Sequence, residues 1–349
     1  MTFGRATGLR VSEYALGTGT FGSRWGYGSG PQESRKIFER FAEAGGTFVD
    51  TADSYQFGES EEILGELLHG ERDRFTLATK FTNGVNREAG VNGTGNSRKT
   101  MTRAVEASLR RLNTDYIDLL WVHFPDAVTP IEEIVRGLDD LTRSGKILYG
   151  GLSNFPAWRV ARGATLAELR GWSPVTAVQL EYSLVERTAD REILPVAEAL
   201  GLGAALWSPL GGGLLTGKYR TGTEGRLTDW NRRLVHTEDG ERKTSTIDAV
   251  LAVAQETGAT PAQVAMAWLR ERADRATTAF VPVIGPRTLE QLDDYLGALD
   301  VRLDEEQYRR LSDAGAAPLG QPHDQIAAQR AIVLGGDTIH FRPPTIPVA

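Results

Sequence analysis

The chain contains no cysteine, which excludes disulfides, thiolate metal ligands and a thiol nucleophile. Histidine is scarce, five in 349 residues, and no His, Asp or Glu cluster has metal-site spacing, so no metal is expected. No apolar run is long enough to span a bilayer, and the first residues, from Met1 to Arg5, lack the apolar core of a secretion signal. A cytoplasmic protein without a membrane partner is therefore expected. A basic excess is missing as well: Asp and Glu number 46 against 39 Lys and Arg, a net charge of -7. Phosphate binding wants a basic face, so nucleic acid is not the expected partner.

What the sequence does contain is alternation. Short apolar runs at residues 14–16, 47–50, 75–79, 117–123, 147–152, 177–180, 203–207 and 280–283 read as buried parallel strands. Helix-period segments lie between them; Met101, Val105, Leu109 and Leu112 fall on one helical face. Eight strand–helix units predict an α/β fold, a closed (β/α)8 TIM barrel forming one domain over residues 1–349. An open doubly wound sheet is the alternative. Polar residues placed at the ends of several different strands favour the barrel, whose active sites gather at one mouth.

Helix starts are marked by Thr129-Pro130-Ile131-Glu132 and Thr260-Pro261-Ala262-Gln263, each with a threonine cap, proline in the first turn and an acid or amide to close a capping box, and by Asp304 with Gln307. Two stretches break the rhythm. Residues 83–99 are rich in Gly and Asn and predict a long mobile loop after strand three. A charged insertion running from the 220s to Lys243 follows strand seven. Both follow strand ends, which predicts lids over a pocket. Residues from about 318 to 349 read as a tail packed on the barrel or on a neighbouring subunit.

Four residues then stand out. Asp50 ends one apolar run and Tyr55 follows five residues later; Lys80 and His123 end two others. Each is costly against a buried strand and needs a partner there. Singly each has a bland explanation; together they make chemical sense. A free phenol has a pKa near ~10, and a neighbouring ammonium favours its phenolate, making Tyr55 a usable general acid. Asp50 would hold Lys80 charged. His123 would donate to a substrate carbonyl oxygen, giving a site that protonates oxygen while hydride reaches carbon.

The stretch from Val49 to Tyr55 (Val-Asp-Thr-Ala-Asp-Ser-Tyr) with Gly58-Glu59-Ser60-Glu61, and the stretch from Asp118 to Asp126 around His123, resemble motifs of the aldo-keto reductase superfamily. The resemblance runs from Leu16 to about Leu311 and is nearest to the bacterial branch that is similar to potassium-channel β subunits. It implies that Asp50, Tyr55, Lys80 and His123 are a complete catalytic tetrad and that the cofactor is NADPH/NADP. It further implies that Gly19-Thr20-Phe21 and Asp50 meet the nicotinamide side, and that Ser153, Asn154 and Gln179 bond its carboxamide. Trp207 would stack on the ring, while Ser208-Pro209-Leu210 and Gly212 run along the pyrophosphate and Lys218 contacts phosphate. Gly285, Arg287, Gln291 and Asp294 correspond to the adenosine site, where Arg287 would read a 2'-phosphate with Arg226 as a second contact. Tyr295 departs from the family pattern and would cover the adenine. Trp25, with Tyr55 and His123, is expected to wall the substrate pocket; Tyr27 shares its loop, and Trp121 is a weaker candidate.

Two decoys fail on context. Gly17-Thr18-Gly19-Thr20-Phe21-Gly22 satisfies G-x-G-x-x-G, but a loop through Gly30 separates it from the helix that a dinucleotide fingerprint must enter directly. The segment from Gly212 to Lys218 approaches a P-loop, but Tyr219 stands where a serine or threonine is required. The expected activity is NADPH-dependent reduction of an aldehyde or ketone, a small-molecule carbonyl partner. The alternatives are an NADPH-binding regulatory subunit like the channel β subunits, or a sugar or polyketide tailoring ketoreductase. Nothing in the sequence predicts the oligomeric state.

Overall fold

A computed structural model describes residues 1–86, 88–222, 236–336 and 344–347. Eight parallel strands close on themselves in sequence order: β1 (Ala15–Gly17), β2 (Phe48–Asp50), β3 (Thr76–Phe81), β4 (Ile117–Val122), β5 (Ile147–Ser153), β6 (Val175–Glu181), β7 (Gly203–Trp207) and β8 (Phe280–Ile284). Closure is made by β1 pairing with both β2 and β8. The helices α1 (Pro31–Glu43), α2 (Glu59–Leu67), α3 (Arg98–Arg111), α4 (Ile131–Arg143), α5 (Ala157–Arg170) and α6 (Ile193–Leu200) pack outside. They are followed by α7 (Glu241–Thr257), α8 (Pro261–Asp274), α9 (Leu289–Gly297), α10 (Glu305–Gly315) and α11 (His323–Val333).

Strand residues alternate between two cores, as a two-residue period demands. Phe48, Ala78, Leu119, Trp121, Ala177 and Ala205 point into the barrel, whereas Val49, Leu77, Leu120, Val178 and Leu206 meet the helices. The same parity sends Asp50, Lys80 and Gln179 inward, one layer above Phe48, Ala78 and Ala177, where their side chains bond one another. The N-terminal segment plugs the other end: Thr2 bridges Arg10, and the fully buried Phe3 ring meets Phe48 and Trp121 edge-on.

The capping boxes at Thr260/Gln263 and Asp304/Gln307 form as expected. Thr129 does not cap α4: Pro130 occupies the cap position, and the threonine hydroxyl donates to Asp126 at 2.6 Å. The aspartate, already collecting the amides of Asn96, Val128 and Thr129, offers that hydroxyl a stronger acceptor. The Gly- and Asn-rich segment after β3 is indeed a long connection, anchored where Asn96 bonds Thr82 and the Phe124 carbonyl. Of the insertion after β7, residues 223–235 lie outside the described residues. The C-terminal segment contains α11, which buries none of its residues. Among the described residues no helix is long and apolar enough to cross a membrane.

Candidate active site

The polar layer at the top of the barrel is built around Lys80. Its side chain is fully buried, and Nζ donates to Asp50 Oδ2 at 2.5 Å and to the Thr51 carbonyl at 2.7 Å. Trp121 Nε1 and Gln179 Nε2 each donate to the other Asp50 oxygen at 3.0 Å. Every group meeting this carboxyl is therefore a donor. Burial alone would drive the Lys80 proton off, but the charge of Asp50 and then the Tyr55 phenol outweigh it, and its pKa ends above the ordinary lysine value.

Tyr55 reaches this layer because the chain turns sharply just behind it. Gln56 and Phe57 take left-handed backbone angles (φ 51° and 55°) and Gly58 follows at φ 91°, so α2 starts at Glu59 while the Tyr55 ring stays over the mouth. Lys80 Nζ lies 4.7 Å from the centre of that ring. His123, immediately after β4, meets the ring edge-on at 6.0 Å and stacks on Phe124 at 4.7 Å. Burial, helped by the Lys80 charge, holds the imidazole pKa well below 6.5. At neutral pH it is an uncharged ring with one N–H, a hydrogen-bond donor rather than a cation. The fold thus brings Asp50, Tyr55, Lys80 and His123 into one cluster.

A cavity of about 810 Å³ opens onto this cluster, within the range of ligand sites. Asp50, Tyr55, His123 and Trp25 line it, as do Gly19, Thr20, Asn154, Gln179 and Trp207. Ser208, Pro209, Leu210, Gly212 and Lys218 continue along one side. Gly285, Arg287, Gln291, Asp294 and Tyr295 close the far end. Gln179 has given its N–H to Asp50, so its carbonyl end faces the cavity without a protein partner among the described residues. Asn154, at φ 59°, donates to the His123 carbonyl and to Ser153 and accepts from Trp207 Nε1 at 3.3 Å. The two ends of the barrel seam are tied by Thr20 and Ser29, whose hydroxyls donate to the carbonyls of Pro286 and Arg287.

Two expected cofactor residues do not line the cavity. Phe21 does not line the cavity; its ring is fully buried in the barrel–helix core, where an apolar ring is best placed. Ser153 is also buried, opposite Gln179 in the sheet register, its hydroxyl accepting from Asn154. Arg226 falls outside the described residues. Trp121 is no substrate wall but a buried donor to Asp50. Lys80 lies within β3, which runs on to Phe81 rather than ending at this inward polar residue.

Sequence reasoning missed Phe57, Phe124 and Asn83 as cavity residues, and Gln56, fully buried beside Tyr55. Phe57 and Phe124 each adjoin a motif residue, which is the signal that was there to read. It also missed a second buried acid. Asp53 lies 3% exposed near Glu61 and Arg111; burial and then the Glu61 charge push its pKa up to about 8. No group of three or more His, Asp or Glu among the described residues could hold a metal ion.

Residues 14–316 match the model of the aldo/keto reductase family. The chain is 36% identical to norsolorinic acid reductase of Aspergillus flavus, over 91% of this chain and 81% of that protein. It is 36% identical to an uncharacterized oxidoreductase of Bacillus subtilis, over 92% and 97%. A third relative is the aryl-alcohol dehydrogenase [NADP(+)] of Phanerodontia chrysosporium, 36% identical over 90% and 86%. With its closed barrel and nearly whole-length match, the chain belongs to the aldo/keto reductase family and is an oxidoreductase acting on carbonyl compounds.

Proposed function

We propose that the protein is an NADPH-dependent reductase of aromatic aldehydes or ketones, with Tyr55 delivering the proton to the carbonyl oxygen. The observation that carries this reading is the buried Lys80 ammonium, held by Asp50 and set against the Tyr55 ring inside a ligand-sized cavity. The donor set suits a nicotinamide dinucleotide phosphate. Gln179 offers an amide carbonyl and Trp207 a half-buried indole, and two cations, Lys218 and Arg287, line the same cavity. When bound, that cofactor would supply the hydride. Tyr55 releases its proton as charge develops on the substrate oxygen, and Lys80 stabilises the phenolate left behind. Neutral His123 donates its N–H to the same oxygen and orients the carbonyl.

The substrate end favours flat, uncharged molecules. Trp25, Phe57 and Phe124 surround the cluster, and the polar groups beside them are the amides of Asn83 and Asn86. The names of the relatives, an aryl-alcohol dehydrogenase and a norsolorinic acid reductase, support the same reading, the second also supporting a tailoring ketoreductase. A Tyr55→Phe variant should bind NADPH with unchanged affinity and lose turnover by about 10³-fold or more. Stopped-flow or steady-state loss of NADPH absorbance checks this, and turnover near wild type would remove Tyr55 from its role. A regulatory subunit would instead show wild-type protein oxidising no NADPH across a panel of aromatic and aliphatic carbonyls.

A further inference from the structure

The loop between β1 and α1 carries Trp25 and Tyr27, and the turn behind Tyr55 grips it. Gln56 is fully buried. Its Nε2 donates to the carbonyls of Gly19 at 3.2 Å and Tyr27 at 2.8 Å, while its Oε1 accepts the Trp25 amide at 2.9 Å. Three residues on, Glu59 accepts the amides of Ser23 and Arg24 at 2.8 and 3.0 Å. The clasp is close: a β-carbon on Gly28 would come within 3.0 Å of the Gln56 amide nitrogen, and one on Gly22 within 3.0 Å of its β-carbon.

Gln56 takes this position against its backbone preference. At φ 51° it occupies the left-handed region that L side chains rarely adopt. Glycine would fit the backbone better, so the contribution of this residue lies in its amide, which combines donors and an acceptor on one head. What the amide fixes is aromatic. Trp25 meets the Tyr55 ring edge-on at 6.1 Å and the Phe57 ring at 6.3 Å. Two residues along the same loop, the Tyr27 ring lies 4.3 Å from the Arg287 guanidinium.

We propose that Gln56 is a specificity-positioning residue, which fixes the Trp25 ring as a rigid wall beside Tyr55 and so makes the enzyme prefer flat aromatic carbonyl compounds over small aliphatic ones. The proposal rests on the reductase reading above. Gln56 touches no reacting atom; it acts through Trp25, and its loss moves substrate affinity rather than the chemical step.

The test compares 4-nitrobenzaldehyde with propanal in the wild-type protein and in Gln56→Ala, Gln56→Gly, Trp25→Ala and the Gln56→Ala/Trp25→Ala double variant. Gln56→Ala should raise KM for the aromatic aldehyde about tenfold with kcat within about twofold, and leave propanal KM nearly unchanged. Gln56→Gly keeps the turn without strain and loses the same bonds, so it should show the same loss of preference even if Gln56→Ala folds poorly. In the Trp25→Ala background the glutamine substitution should add nothing. A fall in kcat shared by both aldehydes at unchanged KM, an equal rise in both KM values, or full additivity with Trp25→Ala would overturn the proposal. Binding of the uncharged, unreactive 4-nitrobenzamide, followed by tryptophan fluorescence, separates the two readings. A wild type that turns over neither aldehyde ends the reductase reading, while weaker 4-nitrobenzamide binding in Gln56→Ala still measures the wall, and unchanged binding ends the present proposal.

Discussion

Asp50 and Asp53 are the same residue type three positions apart, both buried, yet they meet opposite surroundings. Asp50 faces into the barrel and receives hydrogen bonds from Lys80, Trp121 and Gln179. Asp53 faces the helix layer, where burial and then the Glu61 charge raise its pKa, Arg111 only partly compensates, and its Oδ1 has no hydrogen-bond partner among the described residues. The guanidinium of Arg111 is already engaged by Glu61 at 2.7 Å, and Thr79 donates to the same glutamate at 2.6 Å. Both carboxyls are buried, but Glu61 holds the guanidinium and the Thr79 hydroxyl while one Asp53 oxygen has no hydrogen-bond partner among the described residues, so burial pushes the Asp53 pKa up. Charge state thus follows the neighbours that folding supplies, not the motif in which the residue is written.

The inner cluster should break most severely. Asp50→Asn keeps the shape and removes the charge that holds the Lys80 proton against its burial. The Lys80 pKa then falls, the ammonium is held less firmly, and turnover should drop on the order of 10²–10⁴-fold. Because the variant lysine regains its proton as pH falls, the residual activity should rise toward acid pH. A pH–rate profile of Asp50→Asn with its optimum unmoved would show that Asp50 does not act through that proton.

The outer acid should respond in stability rather than turnover. Its carboxyl ionises near pH 4 in the unfolded chain and near 8 when folded. Between those values the folded state keeps a proton that the unfolded state has released. Stability contributed by this group is therefore full below about pH 4 and declines as pH rises toward 8, by at most about 1.4 kcal/mol per pH unit. Asp53→Asn cannot ionise, so it should lose that decline and melt above wild type at pH 8, with turnover changed by less than about threefold. Parallel melting curves of the two proteins from pH 5 to 8 would mean that Asp53 carries no proton in the folded state.

The same contrast explains what the sequence made legible. Strand count and barrel closure were readable because apolar runs and amphipathic helices repeat eight times, and Asp50, Lys80 and His123 because charged or polar residues are rare in such runs. The protonated state of Asp53 was not, since it depends on Glu61 and Arg111, eight and fifty-eight positions away. Gln56 was hidden for a similar reason: its partners Gly19, Trp25 and Tyr27 lie on a different loop. Phe21 stands off the cavity wall because a motif match gives position along the chain, whereas packing decides which core a side chain enters.

Trp121→Phe is the mildest way to disturb the inner cluster, and for that reason the sharpest. The indole is fully buried, fills the space above Gly151, where an added β-carbon would come within 2.5 Å of it, and donates to the Asp50 oxygen that Gln179 also bonds. Phenylalanine keeps most of the ring but forfeits the N–H and leaves a small void, so stability should fall by about 1–3 kcal/mol. Turnover should fall less than about tenfold, because Lys80 keeps its bond to the other carboxyl oxygen and Gln179 still holds this one. Denaturant melts and kcat measured on the same preparation check both numbers. If Trp121→Phe instead cost as much turnover as Asp50→Asn, the orientation of the carboxyl rather than its charge would govern Lys80, and the distinction drawn between the two aspartates would rest on geometry alone.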